Sequence, residues 1–199
     1  MSISVSNFAP EPPGLEYYHR QSRKSSSVLS LALAFVDIAL HRRGPDELPP
    51  SRFLLSVLLG LYLLTGIIGI WTLGVLDAGT AQLLLLDSVF FFAYVFVALR
   101  LFRHDRRFPQ TVIALLGTEV VINIVGLPLA LWSRSMSVPP DPYSAPMLLH
   151  LLLLVWWIDV AGFILSRAIS RPYFVGVLFM IVYVLTSYRI STFLFPSAS

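Results

Sequence analysis

Five long apolar runs constrain this chain more than any other feature: residues 53–76, 81–102, 109–132, 147–166 and 173–195. A helix rises about 1.5 Å per residue, so about 20 such residues cross a hydrocarbon layer of about 30 Å. Only 13% of the 199 residues are charged, against roughly 25% in water-soluble domains. The expected fold class is therefore all-α: a polytopic membrane bundle of five transmembrane helices. The first 52 residues are too few for a second core and form a tail. Residues 53–195 form one membrane domain, and residues 196–199 a short external end.

The basic residues alternate between the connections. Arg20, Arg23, Lys24, Arg42, Arg43 and Arg52 precede the first run. Arg100, Arg103, Arg106 and Arg107 lie between the second and third, and Arg167 and Arg171 between the fourth and fifth. Only Arg134 and Arg189 of the 14 Lys and Arg residues lie elsewhere. Basic residues favour the cytoplasmic side, so the N-terminus is expected in the cytoplasm and the C-terminus outside. Six of the arginines form a cytoplasmic basic face: Arg42, Arg43, Arg100, Arg103, Arg106 and Arg107. Their expected partners are anionic lipid headgroups. The net charge of +3 has this explanation, and nucleic acid is not an expected partner.

Residues 28–40, VLSLALAFVDIAL, carry apolar side chains at helical spacing. The run is too short to span a bilayer, and Asp37 interrupts it. It reads as an amphipathic helix of about residues 28–42 on the cytoplasmic surface. The alternative is a helix packed under the bundle. The following Gly44-Pro45-Asp46-Glu47-Leu48-Pro49-Pro50 forms a stiff elbow, because proline prevents helix continuation. The first 25 residues are polar, so the first span is expected to serve as its own targeting signal.

Ionisable residues within spans are expensive and mark candidate sites. Asp87, Glu119, Asp159 and Arg189 are the four here, with Asn123 as an uncharged companion. Asp87 and Arg189 each lie about 9 Å below the same boundary by helical rise, which predicts an ion pair or a shared polar pocket. Arg189 reaching to the headgroups is the alternative. Glu119 and Asn123 share one face of a helix. A relay through Glu119 and Asp159 competes with the plainer reading that each acid is hydrogen-bonded to a neighbouring helix. Two pairs of small residues, Ser56/Gly60 and Gly162/Ser166, suit close helix packing. Trp71, Trp132 and Tyr143 suit a membrane boundary, and Pro128 predicts a kink. Trp156 and Trp157 read as packing residues.

No cysteine is present, and no hydrolase, metalloprotease, redox or nucleotide-binding motif occurs. His19, His41, His104 and His150 lack paired metal-ligand spacing. No catalytic residue, metal or cofactor is expected.

A cytosolic tail that turns through Arg43-Gly44-Pro45-Asp46-Glu47-Leu48-Pro49 into five closely spaced spans resembles the Yip superfamily of Rab-interacting five-span proteins, especially its small bacterial relatives. The resemblance covers residues 28–195 and rests on architecture and hydropathy. It implies a non-enzymatic protein that organises or recruits partners, and no site residue carries over. The expected function is a scaffold, assembly or recruitment factor in a bacterial inner membrane. Its protein partner would meet it on the cytoplasmic face or within the membrane. A small transporter or channel subunit using the intramembrane carboxylates is the first alternative. A lipid-modifying enzyme, with Arg103, Arg106 and Arg107 holding phosphate, is the second.

Overall fold

The computed structural model describes residues 28–74, 77–136 and 144–194, and among these all regular structure is helical. The helices are α1 (Val28–Ala39), α2 (Arg52–Leu73), α3 (Ala78–Leu101), α4 (Phe108–Ser135), α5 (Ala145–Ala168) and α6 (Tyr173–Leu194). Short 3-10 turns occupy Pro45–Glu47 and Asp105–Arg107. Helices α2 to α6 are each long and apolar enough to cross a membrane, so the chain is a multi-pass membrane protein. The five runs expected from hydropathy match them to within three residues at each described end. Most of the N-terminal tail, Tyr143 and residues 195–199 lie outside the described residues.

Contacts divide the chain after Ala34. In the first unit the described residues, 28–34, are the opening turns of α1, with Val28, Leu29 and Leu33 exposed. The second unit, residues 35–199, holds the rest of α1 and the bundle.

Local chemistry sets the helix ends. The Ser51 hydroxyl accepts the Leu54 N–H at 3.3 Å and starts α2. The Asp77 carboxylate accepts both the Thr80 N–H, at 2.6 Å, and the Thr80 hydroxyl, at 2.7 Å, and starts α3. These bonds hold the Asp77 carboxyl below the ordinary aspartate range. Gly74 ends α2 at φ 76°, a left-handed conformation that glycine adopts without a Cβ penalty.

The other end of the bundle uses a different device. His41, Arg103 and Ser170 follow α1, α3 and α5 with φ of 57°, 60° and 54°. In each case the next N–H reaches back five residues: Arg42 to Asp37, His104 to Leu99, and Arg171 to Ser166. These are Schellman closures made without glycine. The Arg107 guanidinium adds a further cap on α5, donating to the carbonyls of Arg167 (3.3 Å) and Ala168 (3.1 Å) and to the Ser170 hydroxyl (2.9 Å).

Helix α4 is the central element. Every residue from Thr111 to Thr118 is buried, α2 and α5 pack along it, α6 lies against α5, and α3 touches α4 and α6 more sparsely. Helix α4 continues through Pro128 to Ser135. Gly162 and Ser166 give the close approach expected of them. A Cβ placed on Gly176 of α6 would lie 2.1 Å from the Gly162 carbonyl oxygen and 2.7 Å from the Ser166 nitrogen. The Ser56/Gly60 pair does not act this way. Nothing lies within 4 Å of a Cβ at Gly60, and the Ser56 hydroxyl bonds its own helix at the Arg52 carbonyl. Small size permits contact, but which face of α2 meets α4 is decided by the rest of the helix.

The last turns of α1 are buried in protein. Phe35, Ile38 and Ala39 are 5%, 1% and 1% exposed. The Phe35 ring fills the space beside Gly117, where a Cβ would meet it at 2.2 Å. Trp156 donates its indole N–H to the Ala39 carbonyl at 3.2 Å. Of the helically spaced apolar residues, Phe35, Ile38 and Ala39 thus pack under the bundle, whereas Val28 and Ala32 are exposed. The elbow is fastened too: the Gln110 amide donates to the carbonyls of Asp46 (2.8 Å) and Leu48 (2.9 Å).

Candidate functional site

Five spans pack around a cavity of about 480 Å³. It lies around the middle of the bundle, since Tyr62, Phe91, Glu119, Trp157 and Tyr183 each sit near the midpoint of their helix. Two carboxyl groups reach it, Asp87 from α3 and Glu119 from α4. Tyr62, Phe91, Trp157, Tyr183 and Tyr188 supply aromatic walls, His150 and Ser187 add polar atoms, and leucine, isoleucine and valine complete the lining.

The ring cluster is tightly built. Phe91, Trp157 and Tyr183 have pairwise centroid separations of 5.1 to 6.1 Å in tilted or edge arrangements. Such geometries suit the ring quadrupoles better than face-to-face stacking. Phe90 stacks on Tyr183 at 5.5 Å. The rings therefore fix the side chains that serve the acids.

Each acid takes its hydrogen bonds from those neighbours. Asp87 Oδ1 accepts the Tyr183 hydroxyl at 2.8 Å and also the Ser187 hydroxyl. Glu119 Oε2 accepts the Trp157 indole N–H. The predicted pairing of Asp87 with Arg189 does not occur: Arg189 is exposed on α6, and among the described residues the two form no ion pair. Equal depth was a sound inference, but two residues at one depth meet only if their helices turn the same faces together. Here α6 turns Tyr183 and Ser187 towards α3.

The other intramembrane polar residues separate from this site. Asn123 donates to the Thr65 hydroxyl of α2 at 3.4 Å and does not line the cavity. Asp159 belongs to a second cluster near the arginine-rich end. It accepts the Tyr173 hydroxyl and lies 3.6 Å from His41 Nε2. The His41 ring also packs edge-on against Phe163, with centroids 4.4 Å apart. Glu119 and Asp159 therefore do not form the relay considered from sequence; each is bonded to a neighbouring helix, the plainer reading. Trp156 and Trp157 exceed their packing role, since one indole N–H holds the Ala39 carbonyl and the other the Glu119 carboxyl.

The basic face divides into two sets. Arg42, Arg100, Arg103 and Arg106 are exposed. Arg107 caps α5, and Arg43 lies 3.4 Å from Asp37 and 3.8 Å from Glu47. These two residues shape the platform. At the opposite end Arg134 donates to the carbonyls of Trp71 and Thr72 at 3.3 Å and lies over the Trp71 ring. Trp71 and Trp132 are exposed, as residues at a boundary would be.

Sequence reasoning did not foresee Tyr62, Tyr183, Ser187 and His150 as companions of the acids. Hydroxyl and aromatic residues are common in spans, and no local spacing marks those that converge. No protein-family model, curated protein or solved structure matches this chain. Fold and site define its class directly: a multi-pass helical membrane protein with a carboxylate-bearing intramembrane cavity.

Proposed function

We propose that this protein is a non-enzymatic membrane scaffold that recruits a protein partner at its arginine-rich end. We place that end in the cytoplasm, in a bacterial inner membrane, on the strength of the alternating arginines. The observation that carries the reading is the construction of this end. Phe35 is fitted against Gly117, Trp156 and Gln110 hold the carbonyls of the α1 end and the elbow, and Arg107 ties α4 to α5. Four exposed arginines then stand on a fixed platform. A rigid, charged surface beside the bilayer suits lipid headgroups and an acidic protein surface together. The reading agrees with what the resemblance to the Yip superfamily implies.

The test is photocrosslinking in native membranes from positions 103 and 106, with position 71 as the control at the other end. A discrete protein adduct from 103 and 106, absent from 71 and lost when Arg42 and Arg100 become serine, is the expected result. Adducts to lipid alone at every position overturn the scaffold reading.

One observation favours a second reading, a small transporter or channel subunit. The cavity holds two acids within the membrane, although the pair is Asp87 with Glu119. Flux through reconstituted protein that falls in Asp87→Asn and Glu119→Gln supports it; absence of flux removes it.

A further inference from the structure

We propose that the intramembrane cavity binds an organic amine in its protonated form: an ammonium group with N–H donors, attached to an apolar body. Size permits it, since about 480 Å³ lies within the roughly 300–1,000 Å³ usual for small-molecule sites.

Charge selects a cation. Two carboxyl groups line the cavity, and neither lysine nor arginine does. Arg189, the nearest basic residue in sequence to the α6 lining, is exposed and takes no part.

Hydrogen bonding selects a donor. Of the protein's own donors in the lining, all but the Tyr188 hydroxyl are committed among the described residues, Tyr62 to Ser88. Tyr183 and Ser187 donate to Asp87, and Trp157 donates to Glu119. His150 Nδ1 lies 2.8 Å from the Pro146 carbonyl. A carbonyl can only accept, so Nδ1 carries the proton of this bond. Asp87 Oδ2 and Glu119 Oε1 make no hydrogen bond among the described residues. Apart from the Tyr188 hydroxyl, which can donate or accept, what remains on offer is acceptors. A carboxylate or phosphate ligand would bring more acceptors and meet repulsion, whereas an ammonium supplies what the site lacks.

The walls select an organic body. The aromatic rings of Tyr62, Phe91, Trp157, Tyr183 and Tyr188 favour a cation through their quadrupoles, and leucine, isoleucine and valine side chains add aliphatic surface. Among the described residues no group of three or more His, Asp and Glu side chains is placed to hold a metal ion. An inorganic cation would also leave the aliphatic surface unused.

The probe is phenethylamine, titrated into the full chain in lipid nanodiscs and followed by calorimetry, with 2-phenylethanol and phenylacetate as isosteres. The expected result is saturable binding of phenethylamine, at least tenfold weaker binding of 2-phenylethanol, and none of phenylacetate. Asp87→Asn and Glu119→Gln should each weaken phenethylamine binding at least tenfold. A variant that fails to fold is replaced by Leu154→Trp, which narrows the cavity from its lipid side and should also weaken binding. Three results overturn the proposal: no saturable binding of phenethylamine, equal binding of 2-phenylethanol, or binding indifferent to all three substitutions. Displacement of phenethylamine by millimolar sodium would likewise overturn it, by showing a site for inorganic cations.

Discussion

Gly176 and Gly60 are the same residue type in two membrane helices, α6 and α2, and their environments differ completely. A methyl group at Gly176 would press on the Gly162 carbonyl and Ser166, both backbone-fixed, while one at Gly60 meets nothing within 4 Å. Gly176→Ala should therefore destabilise the bundle by roughly 1–3 kcal/mol, as overpacking does. Gly60→Ala should stay within about 0.5 kcal/mol of the parent. Thermal unfolding in one detergent, read for both variants, checks the contrast. Gly117 is an intermediate case, because its neighbour is the Phe35 side chain rather than backbone. Gly117→Ala should lose stability that Phe35→Leu partly restores, a coupling that a double-mutant cycle measures. Trp156 gives a third residue-scale outcome. Trp156→Phe removes the donor to Ala39 and should cost about 1 kcal/mol, with faster amide exchange in residues 35–41.

Element ends at the arginine-rich side carry a cost that substitution can relieve. Arg103 sits at φ 60°, where a non-glycine residue loses about 1–2 kcal/mol. Arg103→Gly should raise the unfolding temperature while removing one positive charge from the platform. A lower unfolding temperature would mean that the exposed guanidinium contributes more than the backbone strain. At the other side, α3 begins on Asp77, whose carboxyl is held below its ordinary range by Thr80. The folded value is depressed, so the stabilisation is full above the unfolded aspartate pKa and is lost as pH falls through the folded one. Asp77→Asn should flatten that part of the acid limb of the stability curve without altering stability between pH 6 and 8 by more than a lost charge–dipole contact.

At the scale of the whole molecule, the chain is closed at one end and opens towards its middle. Near the arginine-rich connections α4 is wholly buried over Thr111–Thr118, and Phe35 fills the space beside Gly117. Around mid-bundle the helices part at Asp87 and Glu119, with Leu115 and Leu116 closing the cavity on the arginine-rich side. A scaffold with a small-molecule cavity fits this arrangement, with the proposed partner surface at one end and the cavity deeper in the bundle. The chain has no native cysteine, so single cysteines at positions 106 and 80 report topology cleanly. Labelling of position 106 from the cytoplasmic side and position 80 from outside is the expected outcome; the reverse pattern would invert the proposed orientation.

Class and element order were determined by the sequence itself. Continuous apolar runs of membrane length, separated by Pro, Gly and charged residues, leave few other places for helices to begin and end. Gly162 and Ser166 were legible as a packing pair, because small residues at four-residue spacing create a groove wherever they face a neighbour. What the sequence did not decide was rotation. A helix with apolar residues on every side carries little signal about which face turns inward, since hydrocarbon and protein interior are both apolar. Rotation is what gives Asp87 to Tyr183 and Ser187 instead of Arg189, joins Glu119 to Trp157, and leaves Gly60 without a neighbour. It is also what sets Asp159 beside His41, across more than a hundred residues of chain. Those contacts depend on how five helices pack together, and only the tertiary structure could decide them.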